Sequence, residues 1–464
     1  MAVPASEDTQ TPGKKTIPNV FPLHLAPIDS FFRMDDRPRY AMTSVIHIDF
    51  EGEIEAEAFD RGLADAQARH PLLRANVRPA KRNLPCWVAA KDPRPTVIWG
   101  KLGDPITLEH GESFNLAEEV GLRFWNHNGD GQSRMTIQVH HACTDGTGVY
   151  RFLGDFLAAY AHYVTPGSDP PDFGPIDPRL LRGRRMKMAH LAADASTTSM
   201  IRHSLKQAYD VFGKRIEPLA PPQSSAPEPR IPFPGVHTEF FTRDEHKQLR
   251  EAAGRYGVML NDLLLAEMFR TIYSWNSEVR QVRDQAWLRI MMPFDMRDKE
   301  DFALPASNMT AYTFITRRAA VCSDLKALVR GIRDETAQIK NGRLGSAFID
   351  AIMTAEKQAW VLAYLLGRKR SFATTILSNI GDPSKRFTAR LPREGGRVRA
   401  GNLLIRQITG VPPLRPYSHA TLAIFSYARE LAVSVRCDPY AFEANDSRRF
   451  LHLYAQALRA HIDE

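Results

Sequence analysis

Cysteine is scarce in this chain. Its 464 residues hold four, Cys86, Cys143, Cys322 and Cys437, far apart and without paired spacing. That excludes a disulfide framework and a cysteine-based zinc site, and it points to a reducing compartment. Long apolar runs are missing as well, so nothing in the sequence spans a bilayer. The opening MAVPASEDTQTPGKK lacks the apolar core of a secretory signal and reads as a loose polar tail. No internal repeat is visible, and no nucleic-acid motif or interleaving of aromatic and basic residues appears. The formal net charge of +8 still favours anionic partners. With nucleic acid set aside, the phosphates of a coenzyme, an acidic carrier protein or an anionic membrane surface fit equally well. The densest basic run, Arg179 to Lys187, reads as a solvated face.

What is present describes a soluble globular protein, 43% hydrophobic and 25% charged. A chain of 464 residues is too long for one ordinary core and suits two domains. Composition suggests where they divide. Leu219 to Pro227 is rich in proline and serine and cannot pack a core, so it reads as linker. The expected organisation is a disordered tail over 1–20, a first domain over 21–165, a linker with a helical segment over 166–235, and a second domain over 236–464.

One stretch concentrates the chemistry. Met135, Ile137 and Val139 alternate with polar residues, the period of a half-buried strand. Val149, Phe152, Leu153, Phe156, Leu157 and Tyr160 then recur at helical spacing. Between them stand His140, His141, Asp145 and Gly146, where a strand ends and the chain turns into a helix. An imidazole titrating near neutrality can take a proton from a hydroxyl, thiol or amine. An Asp at the turn can fix local geometry, and Gly146 lets the chain turn tightly beside the ring.

Other candidates carry less. His70 precedes Pro71, which ends a helix expected from about Glu55 to Ala68. Cys143 lies inside the motif and could be a nucleophilic thiol, but it also suits a small packing residue. Asp172-Phe173-Gly174 falls in a Pro/Gly-rich loop and reads as coincidence. Ser378 and Asn379, in Thr375 to Asp382, offer hydroxyl and amide donors suited to an oxyanion; taken alone the segment reads better as a plain turn, and the motif at His140–Gly146 reverses that preference.

The string His140-His141-x-x-x-Asp145-Gly146 resembles the signature of the chloramphenicol-acetyltransferase-like acyltransferase superfamily. That group includes peptide condensation domains, alcohol acyltransferases and wax ester synthases. Further likenesses run from Pro27-x-Asp29-x-x-Phe32 through Arg69-His70-Pro71-Leu72-Leu73-Arg74, Asn261-Asp262, Asp295-Met296-Arg297 and Ser378-Asn379-Ile380-Gly381. The resemblance implies an α/β (α+β) fold of two such domains forming a pseudo-dimer with a tunnel at the interface. It implies His141 as general base, His140 supporting its loop, Asp145 held structurally by Arg297, His70 structural, and Ser378 or Asn379 at the oxyanion. An acyl group would pass from a coenzyme A or phosphopantetheine thioester (acyl-CoA or acyl-carrier protein) directly to a small-molecule alcohol or amine. No bound cofactor, metal or nucleic acid is expected. A cytoplasmic monomer is expected, with peripheral membrane contact left open. Three alternatives stand: a non-catalytic condensation-domain-like binding protein, a wax ester or acylglycerol synthase-like lipid enzyme, and a hydrolase using Cys143.

Overall fold

The structure, a computed structural model, describes residues 19–79, 85–184, 187, 213–342, 352 and 371–462. The tail expected over 1–20 and the helices expected over about 186–212 and 351–366 lie outside them, apart from Asn19, Val20, Lys187 and Ile352.

Alternating sequence builds the first large sheet. In Thr43–Glu51 and Gln132–His140 the β-branched and apolar positions pair across an antiparallel ladder running from Thr43 opposite His140 to Glu51 opposite Gln132. Leu122–Gly129 pairs antiparallel on the outer side of Gln132–His140, and Thr96–Lys101 adds to it in parallel. Helices Ala56–Arg69 and Gly146–Val164 lie against each other. Their approach is close because Gly62 has no side chain: a Cβ there would lie 2.9 Å from the Tyr160 backbone nitrogen. Phe59 of the first helix meets Phe156 of the second and Phe124 of the sheet edge to face, with ring centroids 5.2 and 5.5 Å apart.

The second large sheet runs, in spatial order, Thr310–Arg318, Trp287–Asp295, Thr375–Gly381, Ala420–Phe425, Leu431–Cys437 and His237–Phe241. Its helices include Arg243–Arg255, opened by the expected Thr242/Glu245 capping box. They also include Leu260–Val279, which is apolar nearly all round and accordingly buried. Trp275, Phe450 and Tyr454 anchor the core on this side.

One segment leaves the sequence division. Arg393–Glu394, Arg397–Ala400 and Leu403–Val411, placed by sequence in the second domain, extend the first sheet, with Ile408 opposite Ile48 and Val411 opposite Val45. The chain therefore crosses from one lobe to the other and back. The expected α/β class and two-lobed plan are otherwise what the structure has, with the core of the first lobe continuing into Met291, Ala311, Ile376 and Ala423 of the second.

The basic run is not a plain solvated face. Arg184 is 3% exposed and its guanidinium grips Asp29, which is fully buried. Asp29 also accepts from the Ala26 backbone nitrogen and Trp87 Nε1, each at 3.1 Å. Lys187 reaches Asp298 and Asp301. A carboxylate so deeply buried persists only when its lone pairs are occupied in this way. Among the described residues no helix is long and apolar enough to cross a membrane.

Candidate active site

The motif strand Gln132–His140 ends at the seam between the lobes. There the chain turns through 141–145 into the helix Gly146–Val164. His140 is 1% exposed, and its Nδ1 accepts from the Ala142 backbone N–H at 3.0 Å. That fixes the tautomer: the hydrogen sits on Nε2, facing Asp36 Oδ2 at 3.6 Å. Asp36 Oδ1 in turn accepts from the Met42 N–H at 2.7 Å, and the Met42 carbonyl accepts from the His141 N–H at 2.8 Å. His140 is thus a buried brace within the frame that carries His141.

His141 is 7% exposed. Phe32 stacks on its ring at 4.1 Å between centroids and 21° between planes. Its backbone carbonyl and that of Ala142 accept from Asn308 Nδ2 at 2.7 and 3.0 Å. Nδ1 is buried without an ordinary hydrogen-bond partner and lies by the residue's own carbonyl. Nε2 makes no hydrogen bond to a described residue, and the ring lines a cavity of about 310 Å³. Burial pushes the imidazole below its ordinary value, more than the Asp145 charge raises it, so the ring is neutral at pH 7. A neutral, clamped imidazole on a cavity wall is a proton acceptor ready for a bound hydroxyl or amine.

Asp145 does something different. It is 2% exposed and caps the following helix, its Oδ1 accepting from the Gly148 N–H at 2.8 Å. Arg297 meets it in a fork, Nη1 to Oδ2 at 2.8 Å and Nη2 to Oδ1 at 3.1 Å, and the Met309 N–H donates to Oδ2 at 2.7 Å. Burial works against the charge on Asp145; the Arg297 charge and these donors outweigh it and hold the carboxyl below the usual range. Arg297 also donates to the Ser307 carbonyl at 2.7 Å and to Asp295 Oδ1 at 2.9 Å. Both oxygens of the Asp145 carboxylate are thus committed to structure. The tight spot in the turn is Gly148 and not Gly146. A Cβ on Gly148 would lie 2.1 Å from Thr144 Oγ1 and 2.8 Å from the Ser307 nitrogen, whereas one on Gly146 would meet only Ile380, at 3.7 Å.

The remaining candidates divide. Ser378 lines the same cavity as His141, and its hydroxyl makes no hydrogen bond to a described residue. Asn379 also lines it, but its amide is spoken for, Nδ2 donating to Asn261 at 3.0 Å and Oδ1 accepting from the Gly381 N–H at 3.1 Å. Cys143 is fully buried, and burial pushes its thiol far above its ordinary value, so no thiolate forms there near neutrality. His70 lies away from the cavity wall. Its Nδ1 accepts from the Ala306 N–H at 2.9 Å, leaving Nε2–H to face Asp155 at 3.3 Å.

Sequence reasoning missed the supports. Asp29 and Phe32 both belong to the opening Pro27-x-Asp29-x-x-Phe32, and its spacing was the available signal. One turn of the helix Pro27–Asp35 sets Asp29 beneath Asn308 and Phe32 over His141. Asp36 carried no periodic or motif signal, and neither did Arg415, which lines the same cavity.

The fold recurs in known structures. The Fusarium sporotrichioides trichothecene 15-O-acetyltransferase TRI3 superposes with a TM-score of 0.69, 12% identity, and coverage of 97% of this chain and all of that one (100%). The starter condensation domain of rhizomide synthetase RzmA, solved with C8-CoA and Leu-SNAC, gives 0.64 at 11% identity over 96% and 95% of the two chains. The chain has the condensation-domain fold. In sequence, no family model matches it. An uncharacterised protein of Mycobacterium tuberculosis is 26% identical over 258 residues, 53% of this chain, and the match spans only about half (56%) of that relative's length.

Proposed function

We propose that the chain transfers an acyl group from a thioester directly to a hydroxyl or amine, with His141 as general base. The observation that carries this reading is His141 itself, buried, neutral, stacked on Phe32 and presenting an unbonded Nε2 to the cavity between the lobes. His141 Nε2 takes the proton of the acceptor as its oxygen or nitrogen attacks the thioester carbonyl. The tetrahedral oxyanion is met by the free hydroxyl of Ser378; one such donor contributes about 3–4 kcal/mol. Collapse breaks the carbon–sulfur bond, and the leaving thiolate takes the proton back from His141. Asp145 and Arg297 hold the turn and carry no proton. The donor is coenzyme A or a carrier-protein pantetheine, and the acceptor a small alcohol or amine reaching the cavity between two domains that divide near the segment 166–235. The reading places the protein in the cytoplasm.

Thiol release from a panel of acyl-CoAs, with and without alcohols and amines, tests the proposal. His141→Ala should lower acceptor-dependent release by about 10²–10⁴-fold while donor affinity changes little. Release that needs no acceptor, or that survives His141→Ala, would refute it.

A further inference from the structure

The cavity wall carries a second unusual group. Arg415 is only 7% exposed and lines the same cavity as His141 and Ser378. Its Nε donates to Asp35, itself fully buried, but its two terminal nitrogens donate to no described residue. Asp35 is shared, because Arg37 approaches its other oxygen at 3.6 Å. Asp35 therefore does not serve Arg415 alone, and the outer N–H fork of the Arg415 guanidinium stays unused. Aromatic rings flank it, Phe372 at 4.7 Å and Phe31 at 5.7 Å, which keeps the fork in an apolar setting where a charged hydrogen bond is strong. The phenol of Tyr312 lines the cavity too, and the charge of Arg415 acts on it against the effect of burial.

The loop is built to hold this side chain still. Pro412, Pro413 and Pro416 fix φ on both sides of Arg415. Tyr417 and His419 sit in the left-handed region at φ 65° and 61°, conformations that persist only where surrounding structure enforces them. His419 is tied to Asp438 at 3.0 Å, and Tyr40 donates to the same carboxylate at 3.0 Å. A buried arginine with an unused fork, on a braced loop and in the wall of the cavity, is held ready to meet a ligand.

We propose that Arg415 is the anchor for a carboxylate on one of the two substrates, so that the protein takes an acid in preference to its neutral ester or amide. The inference rests on the acyl-transfer reading for the identity of those substrates and deepens it. A carboxylate fits better than a phosphate. With Nε taken by Asp35, the site offers the outer fork of one guanidinium, suited to a monoanion with two coplanar oxygens. The other arginine on the wall, Arg386, is exposed, so water screens its charge.

Equilibrium binding by titration calorimetry tests this without turnover. N-octanoylglycine against its methyl ester probes a carboxylate on the acceptor side; glutaryl-CoA against butyryl-CoA probes one on the donor. In the pair that matches the natural substrate the acid should bind about 10–100-fold more tightly, the span of one or two hydrogen bonds to a charged group. Arg415→Met should erase that preference and leave the neutral ligand's affinity unchanged. Should Arg415→Met fail to fold for want of a partner to Asp35, Arg415→Lys keeps the charge, loses the fork, and should give up most of the preference. Equal binding of acid and neutral ligand in both pairs overturns the proposal, as does a loss in either variant that falls equally on both ligands. A protein that prefers the acid through Arg415 yet releases no thiol in the presence of any acceptor would refute acyl transfer and leave the carboxylate anchor standing.

Discussion

Asp145→Ala separates a structural carboxylate from a catalytic one. In the wild-type protein the side chain takes four hydrogen bonds, two from Arg297 and one each from the Gly148 and Met309 backbones, at 2.7–3.1 Å. Truncation leaves the Arg297 side chain, 5% exposed, with Asp295 as its remaining carboxylate partner. Breaking a buried pair from one side costs about 3–5 kcal/mol. The retained Asp295 contact pulls towards the lower figure, and the lost helix cap, worth about 1 kcal/mol, pushes back up. At about 2.1 cal/mol/K per residue the 464 residues give roughly 1 kcal/mol per degree, so the melting midpoint should fall by about 3–5 °C. Differential scanning calorimetry of Asp145→Ala, Arg297→Ala and the double variant closes a cycle, with an expected coupling of about 1.5–3 kcal/mol. Activity should fall with stability and return in part on cooling. An unchanged melting curve with abolished turnover would refute the structural assignment and give Asp145 a place in proton transfer.

Other outcomes follow from the same geometry. Because burial depresses the His141 imidazole, the acid limb of kcat/KM, where the base protonates, should have its midpoint below the ordinary imidazole value of about 6.5. A midpoint above 6.5 would mean that the ring is not the buried base described. Cys143→Ala should retain most turnover, since its thiol is neutral and enclosed; a labelled acyl group trapped on the protein would show otherwise. Removing the side chain of His70 orphans the Ala306 N–H, a loss of about 1–3 kcal/mol, and should loosen the loop that presents Asn308 and Met309 to the site. His70→Asn, which keeps an acceptor near that N–H, should recover more stability than His70→Ala in denaturant titration. Burial lowers His47 to about 4, so the unfolded chain binds the extra proton first. Stability contributed here is whole above pH 6.5 and declines as pH falls towards 4, by up to about 1.4 kcal/mol per pH unit, and His47→Gln should flatten that slope.

Much of this was legible in the sequence, for reasons that differ by residue. The strand into His140 and the helix after Asp145 are written in strict periodicity, and both stand where the pattern puts them. The Thr242/Glu245 cap is a local signal and appears as such. The Asp145–Arg297 fork joins residues 152 positions apart, which no local pattern encodes; only the family likeness pointed to it. Arg184 shows the opposite failure. Its charged neighbours suggest solvent, and its burial depends on Asp29 far away in sequence. Arg415 and Asp36 were silent for the same reason, their partners being set by tertiary structure. The strand Leu403–Val411 could be read as a strand, near Leu403 to Thr409, but not assigned a sheet, because periodicity reports a buried face and not the neighbour it pairs with; the short strands Arg393–Glu394 and Arg397–Ala400 were not read at all.

That crossing has a consequence for how the protein is made. The strand Thr43–Glu51 has Gln132–His140 on one side and Leu403–Val411 on the other. During synthesis its first neighbour emerges early and its second very late. At about 5–20 residues per second the roughly 270 residues between His140 and Val411 take on the order of 15–55 s to appear. For that interval Val45, Ile46 and Ile48 sit in a strand with a bare hydrogen-bonding edge, the condition that invites pairing with a neighbouring nascent chain. A first lobe released at residue 235 would keep that edge permanently, so the two halves should be insoluble when expressed apart and recover each other only when present together from the start.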